Sequence, residues 1–235
     1  MSQSPSNAQN NIKMKYFAAT FLSLAIYNSV QAQDIKSYTL KEEKIISIST
    51  KNRIETYNGK TALVVEQSKL GEYAYTIIKD TDFHNGTIEI DLAGQPKADA
   101  PQGSRGFVGI AFRLAKDTSK FELIYLRPSN GRADDQVRRN HSTQYVSYPG
   151  FPWERLRKES PEKYESYADL VPGEWTKVKI EVLDEKARLY LNGSSQPTLI
   201  INDLKQRKDL RGNIALWVGP GTLAQFANLR IQKLD

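Results

Sequence analysis

The densest chemistry in the chain lies between residues 105 and 158. That segment holds eleven basic residues against five acids, and from 127 to 157 every base is arginine. A guanidinium offers a rigid fork of donors suited to bidentate contacts and to stacking on rings, which a surface charged only for solubility does not need. Flat aromatic groups lie among them. Trp153 and Tyr145 belong to this segment, and Trp217 follows later in a short apolar run. A flat ring beside fixed donors and acceptors is what a sugar needs, since sugars present C–H faces flanked by hydroxyls. The candidate ligand residues are Arg113, Tyr125, Arg127, Arg138, His141, Gln144, Tyr145, Trp153 and Trp217.

Acid–base chemistry on a glycosidic bond requires a pair of carboxyl groups. Glu122 and Glu154 are the best-placed acids, and His141 is the candidate proton donor. No spacing among them forms a glucanase motif, and Glu122 reads first as a counter-charge for a neighbouring Arg. Metal chemistry is poorly supplied, with two His, no Cys and no paired His spacing. Asp134-Asp135 with loop carbonyls is the one candidate for a structural calcium ion, but reads first as a solvated turn. No cofactor is expected, because neither a glycine-rich phosphate loop nor a Gly-x-Ser-x-Gly elbow is present.

These residues need a frame, and the frame is written in period two. Short alternating runs occur at Ile45–Ser49, Ala62–Glu66, Tyr73–Lys79, Gly86–Leu92, Gly106–Leu114 and Phe121–Arg127. More follow at Gln144–Tyr148, Glu174–Leu183, Ala187–Leu191, Thr198–Ile201, Asn213–Val218 and Ala227–Gln232. Turn pairs such as Asn58-Gly59, Asn192-Gly193 and Pro220-Gly221 punctuate them. About a dozen strands without a helical period predict an all-β antiparallel sandwich or barrel. Residues 128–173, with five Pro and one short strand candidate, are expected to form a long irregular loop. Such loops carry function or cover a sheet edge. In Gly106–Leu114 alternation places Gly109, Ala111 and Arg113 opposite the core face, predicting open room for a ligand above the sheet.

The 235 residues are 39% hydrophobic and 26% charged, with a net charge of +6. This composition excludes disulfide-rich, collagen-like and multi-span membrane proteins. Lys13-Met14-Lys15, an eleven-residue apolar run over Tyr16–Ile26 and Val30-Gln31-Ala32 occur in the order of a secretory signal. The run is too short to span a bilayer. Either Met1 or Met14 suits as the start. Residues 1–32 therefore read as an N-terminal extension and signal peptide, and 33–235 as one domain. An exported chain without cysteine suits a bacterial periplasm or cell surface. Export and the lack of any nucleic-acid motif argue against a nucleic-acid partner despite the arginines. No transmembrane anchor is expected, and the sequence leaves the oligomeric state open.

Several segments together carry a resemblance: "FHNGTIEIDL", "GFVGIAFR", "FELIYLRP", "EWTKVKIEV…ARLYLNG" and "GNIALWVG…FANL". Over residues 40–235 this order resembles the concanavalin A-like lectin/glucanase superfamily, which includes laminin-G-like domains. More narrowly it is similar to bacterial relatives of the 3-keto-disaccharide hydrolase domain. The resemblance implies a jelly-roll sandwich of two antiparallel sheets with an oligosaccharide or polysaccharide on the concave sheet. The stretch "RNHSTQYVSYPGFPWERLR" departs from the laminin-G pattern. Three readings follow: a glycan-binding protein, a hydrolase or lyase of glycosides, some of them oxidised, and a structural or adhesive envelope protein. The scaffold alone does not choose among them.

Overall fold

The computed structural model describes residues 35–69 and 73–234. The expected secretory segment lies outside the described residues. The fold is an antiparallel β-sandwich of two sheets. One has eight strands: β1 (Ile35–Ser37), β3 (Thr50–Tyr57), β4 (Lys60–Gln67), β6 (Asn85–Pro96), β11 (Thr176–Leu183), β12 (Lys186–Leu191), β13 (Leu199–Ile201) and β15 (Thr222–Leu234). The other has seven: β2 (Ile45–Ile48), β5 (Ala74–Phe83), β7 (Val108–Leu114), β8 (Phe121–Leu126), β9 (Thr143–Tyr148), β10 (Glu165–Ser166) and β14 (Gly212–Val218). Their orders are β13-β12-β11-β6-β15-β4-β3, with β1 also on β15, and β10-β9-β8-β7-β14-β5-β2.

Alternation becomes burial strand by strand. In β11, Val178, Ile180 and Val182 are buried while Lys177 and Leu183 are exposed. Val178 and Ile180 pair with Ile90 and Ile88 of β6, so four branched side chains meet on the inner face. From the facing sheet come Ile110, Phe112, Ile214 and Leu216, each with no exposed surface. Each such side chain contributes roughly 1.5–3 kcal/mol of burial, and truncating one to Ala costs about 2–5 kcal/mol.

The segment 128–173 is more regular than its sequence suggests. It carries α1 (Pro128–Gly131), α2 (Gln136–Asn140) and α3 (Trp153–Glu159), besides β9 and β10. Helices of four to seven residues are too short to print a 3.6-residue period. Asp135 caps α2 by accepting from the Arg138 backbone N–H at 2.9 Å. β9 extends the seven-stranded sheet beyond β8, and β10 ends it. The excursion therefore builds one edge of that sheet and places its arginines there. None of the described helices is long and apolar enough to cross a membrane.

Candidate functional site

Directly opposed antiparallel residues share a sheet face. In the seven-stranded sheet one such row runs Ile48, Tyr75, Trp217, Gly109, Tyr125, Gln144, Glu165. Arg127, two residues beyond Tyr125, lies at the end of this row. Trp217, Tyr125, Gln144 and Arg127 are thus neighbours on one face, as their sequence positions predict. The expected open room is not there. The rings of Tyr125 and Trp217 lean together at 4.9 Å between centroids across Gly109. A Cβ on Gly109 would sit 2.5 Å from the Tyr125 Cβ. The small residues make space for aromatic packing, not for a ligand. Tyr125 and Trp217 are consequently 4% and 9% exposed.

Arg127 is the hub of the row. Its Nη1 donates to Glu165 Oε1 at 3.0 Å and to the His141 carbonyl at 3.1 Å. Its Nη2 donates to the Tyr125 hydroxyl at 2.9 Å and to Gln144 Oε1 at 3.0 Å. Gln144 turns its amide nitrogen to the carbonyls of Tyr145 and Tyr164. Burial pushes the Tyr125 phenol up to about 12, so it stays protonated. Glu165 also takes the fork of Arg157, with Nε at 2.8 Å. Burial opposes ionisation of Glu165, but hydrogen bonds and charge from Arg157 and Arg127 outweigh it and hold its carboxyl below the usual range.

Trp153, at the start of α3, remains 38% exposed. The Arg157 guanidinium lies 4.6 Å and that of Arg127 5.8 Å from its ring centre. Two arginines locked to one buried carboxylate therefore hold an exposed indole in place. Glu165 and Arg157 complete the site that sequence reasoning assembled without them. Glu165 sits in a two-residue strand, too short for any periodic signal. His141 approaches Glu165 at 3.6 Å and helps line a hollow of about 180 Å³. Burial lowers its pKa, and repulsion from Arg157 and Arg127 adds to this against the pull of Glu165. Arg138 is exposed on α2, and Glu154 is exposed on the first turn of α3.

Three expected site residues lie elsewhere. Arg113 does not share the floor with Gly109 and Ala111. It adopts a left-handed φ of 53° where the β7–β14 register shifts, which breaks the alternation. Its fully buried side chain bonds the carbonyls of His84 and Asp184 and Asn85 Oδ1. Tyr145 pairs with Ile124 and so faces opposite to Gln144. Glu122 shares that opposite side, fully buried, accepting from Tyr145 Oη at 2.7 Å and from the Gln206 N–H at 2.9 Å. Burial raises its pKa against the pull of these bonds. It cannot reach a glycoside on the Trp153 side, and Glu122, His141 and Glu154 do not assemble into one acid–base site. Among the described residues no group of three His, Asp or Glu side chains is placed to hold a metal.

A cavity of about 1130 Å³ lies on the outer face of the eight-stranded sheet. Four of its lining charges are paired, Arg230 with Glu89 at 2.6 Å, Asp91 with Lys60 at 2.7 Å and Lys179 with Glu181 at 2.8 Å, while Lys41, Glu43 and Lys177 also line it. The Lys179 amine sits 4.1 Å from the centre of the Tyr190 ring, which is 8% exposed. That ring has little face left for stacking. Trp153 keeps its exposed surface, which favours the other sheet.

No family model and no curated protein matches this chain. Solved structures do. A carbohydrate-binding module of type CBM66 from Bacillus subtilis superposes with a TM-score of 0.53 at 12% identity, covering 80% of this chain and 96% of the module. A structure described as a native glycosidic hydrolase gives 0.52 at 12% identity, covering 86% of this chain and 96% of that one. A sialidase gives 0.52 at 10% identity over 82% of this chain, but this chain spans only 17% of the sialidase. These likenesses show a shared β-sandwich fold.

Proposed function

We propose that this protein binds a glycan at the β8–β10 end of the seven-stranded sheet, with Trp153 as the platform on which a sugar ring stacks. The observation that carries the reading is the preset indole. Trp153 is exposed, yet it is oriented by Arg127 and Arg157, and both of these are tied to the buried Glu165. Preorganisation lowers the ordering cost of binding. The fold shared with a carbohydrate-binding module supports the same class of ligand. The secretory signal read in residues 13–32 would deliver the domain to where polysaccharides are met.

The test is retention on an oligosaccharide panel read together with product masses. Trp153→Ala should weaken retention by about two- to thirteenfold, since a stacked ring contributes on the order of 0.5–1.5 kcal/mol. Its melting temperature should stay within about 2 °C of the parent, because the ring is partly exposed. Product masses would favour the hydrolase reading, including its 3-keto-glycoside form. Equal loss of stability and binding would make Trp153 a structural plug.

A further inference from the structure

Resting on the glycan reading of this site, the placement of the exposed rings also indicates what form of glycan it takes. Among the described residues three aromatic side chains are exposed: Tyr73, Trp153 and Tyr167. All three lie along β9. The Tyr73 ring meets that of Tyr148, the last residue of β9, with 4.9 Å between centroids. It meets that of Phe121, the β8 partner of Tyr148, at 5.6 Å. Trp153 lies further along, at the level of Gln144. The bridge between Ser147 and Phe151 holds the chain leading to Trp153 beside β9, and Arg127, which bonds Gln144, lies over the indole. Tyr167 follows the β10 residue Ser166, which pairs with Thr143 at the start of β9.

The three rings share one side of the sheet. Phe121, Tyr125, Gln144 and Tyr148 alternate onto the same face, and Glu165, opposite Gln144, belongs to it. Tyr167 joins that side through the hollow of about 180 Å³, which it lines together with Glu165 and His141. At a rise of about 3.3 Å per residue, the six residues from Tyr148 back to the level of Tyr167 span about 20 Å. Trp153 stands between the other two rings.

Each ring is fixed before any ligand arrives. Edge-to-face contacts with Phe121 and Tyr148, at interplanar angles of 81° and 64°, hold Tyr73. Arg157 and Arg127 hold Trp153. Arg139 donates to the Tyr167 hydroxyl at 3.0 Å and lays its guanidinium 5.1 Å from the ring centre. Rings held in this way lose little freedom on binding. Scattered exposed apolar side chains need no explanation, but three preset aromatic faces in line along one strand form a track. The hollow adds mixed donors and acceptors suited to hydroxyls: the Asn140 amide, the His141 imidazole, the Ser166 hydroxyl and the Glu162 carboxylate.

We propose that the ligand is a linear polysaccharide laid along β9 and gripped at an interior stretch by Tyr73, Trp153 and Tyr167. A single terminal sugar needs one ring. Rings on both sides of Trp153 serve a chain that continues past it in both directions. Contacts to one chain act as linked sites, so affinity grows with length until the outermost rings are covered.

The test uses the whole protein with mixed-linkage β-glucan, glucomannan, linear arabinan, levan and polygalacturonate. The polymer that is retained is then supplied as oligosaccharides from the monosaccharide upward, read by calorimetry. Affinity should rise about tenfold or more from disaccharide to hexasaccharide. Tyr73→Ala and Tyr167→Ala should each weaken hexasaccharide binding about two- to thirteenfold and leave disaccharide binding unchanged. Both should melt within about 2 °C of the parent; Tyr167→Ala, on a separate segment, carries the test if Tyr73→Ala loses stability. Tyr73→Phe keeps the ring and should keep the affinity. Full affinity at the disaccharide, or alanine variants that bind the hexasaccharide like the parent, would overturn the track and leave Trp153 as a platform for one sugar. Equal losses in Tyr73→Phe and Tyr73→Ala would overturn stacking at Tyr73 and the track with it. Retention of none of these polymers, nor of any sugar in the wider panel, would overturn both readings.

Discussion

Tyr125 and Trp217 stand on strands separated by β7, and they meet because β7 carries Gly109 between them. Gly109→Ala would push a methyl carbon to 2.4 Å from the Ile124 carbonyl oxygen and 2.5 Å from the Tyr125 Cβ. Neither obstacle is the end of a flexible side chain. The substitution should cost about 1–3 kcal/mol and lower the melting temperature by several degrees, measured by calorimetry.

Glu165 holds two arginines, one of them fully committed around it. Glu165→Gln leaves Arg127 buried without its counter-charge and should destabilise by about 3–5 kcal/mol. The pH dependence has a definite sign. A carboxyl with a lowered folded pKa contributes stability above its unfolded pKa of about 4.3, lost as pH falls through the folded value. The parent should therefore show an acid limb below about pH 4 that the variant lacks, read from urea midpoints at a series of pH values.

Glu122 has the opposite sign. Its folded pKa is raised by burial, so the contribution is largest where it is protonated and is lost as pH rises through the folded value. Glu122→Gln keeps an acceptor for the Gln206 N–H and removes a buried charge. Stability at pH 7 should stay within about 1 kcal/mol of the parent, with a flatter profile above pH 4. Glycan binding should be unchanged. A large loss of binding would return Glu122 to the ligand site.

Arg113 spans the end of the sandwich, joining the β5–β6 connection at His84 and Asn85 to Asp184 between β11 and β12. Arg113→Met leaves the His84 and Asp184 carbonyls without a buried donor and should cost about 2–4 kcal/mol. Retention on glycan should be untouched in the folded fraction, in contrast to Trp153→Ala.

The fold was legible because alternation is a local signal. Ile45–Ser49 became β2, Gln144–Tyr148 became most of β9, and Asn213–Val218 became β14 with Gly212 added. Strand β3 escaped notice because Lys51, Arg53 and Glu55 stand where an apolar face would be read, and Thr50 is its one buried residue. The site was half legible. Arg127, Trp153 and Trp217 stood out by type, and the sheet brings them into one connected group. Tyr145 and Gln144 were both expected in the ligand site, yet adjacent residues in a strand point to opposite faces. Arg113 failed for a different reason: a left-handed residue at a bulge is a property of two paired strands, invisible in either alone. Glu165 could be found only once β10 had been folded against β9.

Strand β1 pairs with the last strand, Ile35 opposite Gln232 and Ser37 opposite Arg230. Both extremities of the described domain therefore emerge together from the eight-stranded sheet, on the layer that does not carry Trp153. A biosensor tether attached near either extremity would present the indole outward, and a short bridge from Leu234 to Ile35 would make a circular permutant with new ends at an exposed turn such as Gly193–Gln196.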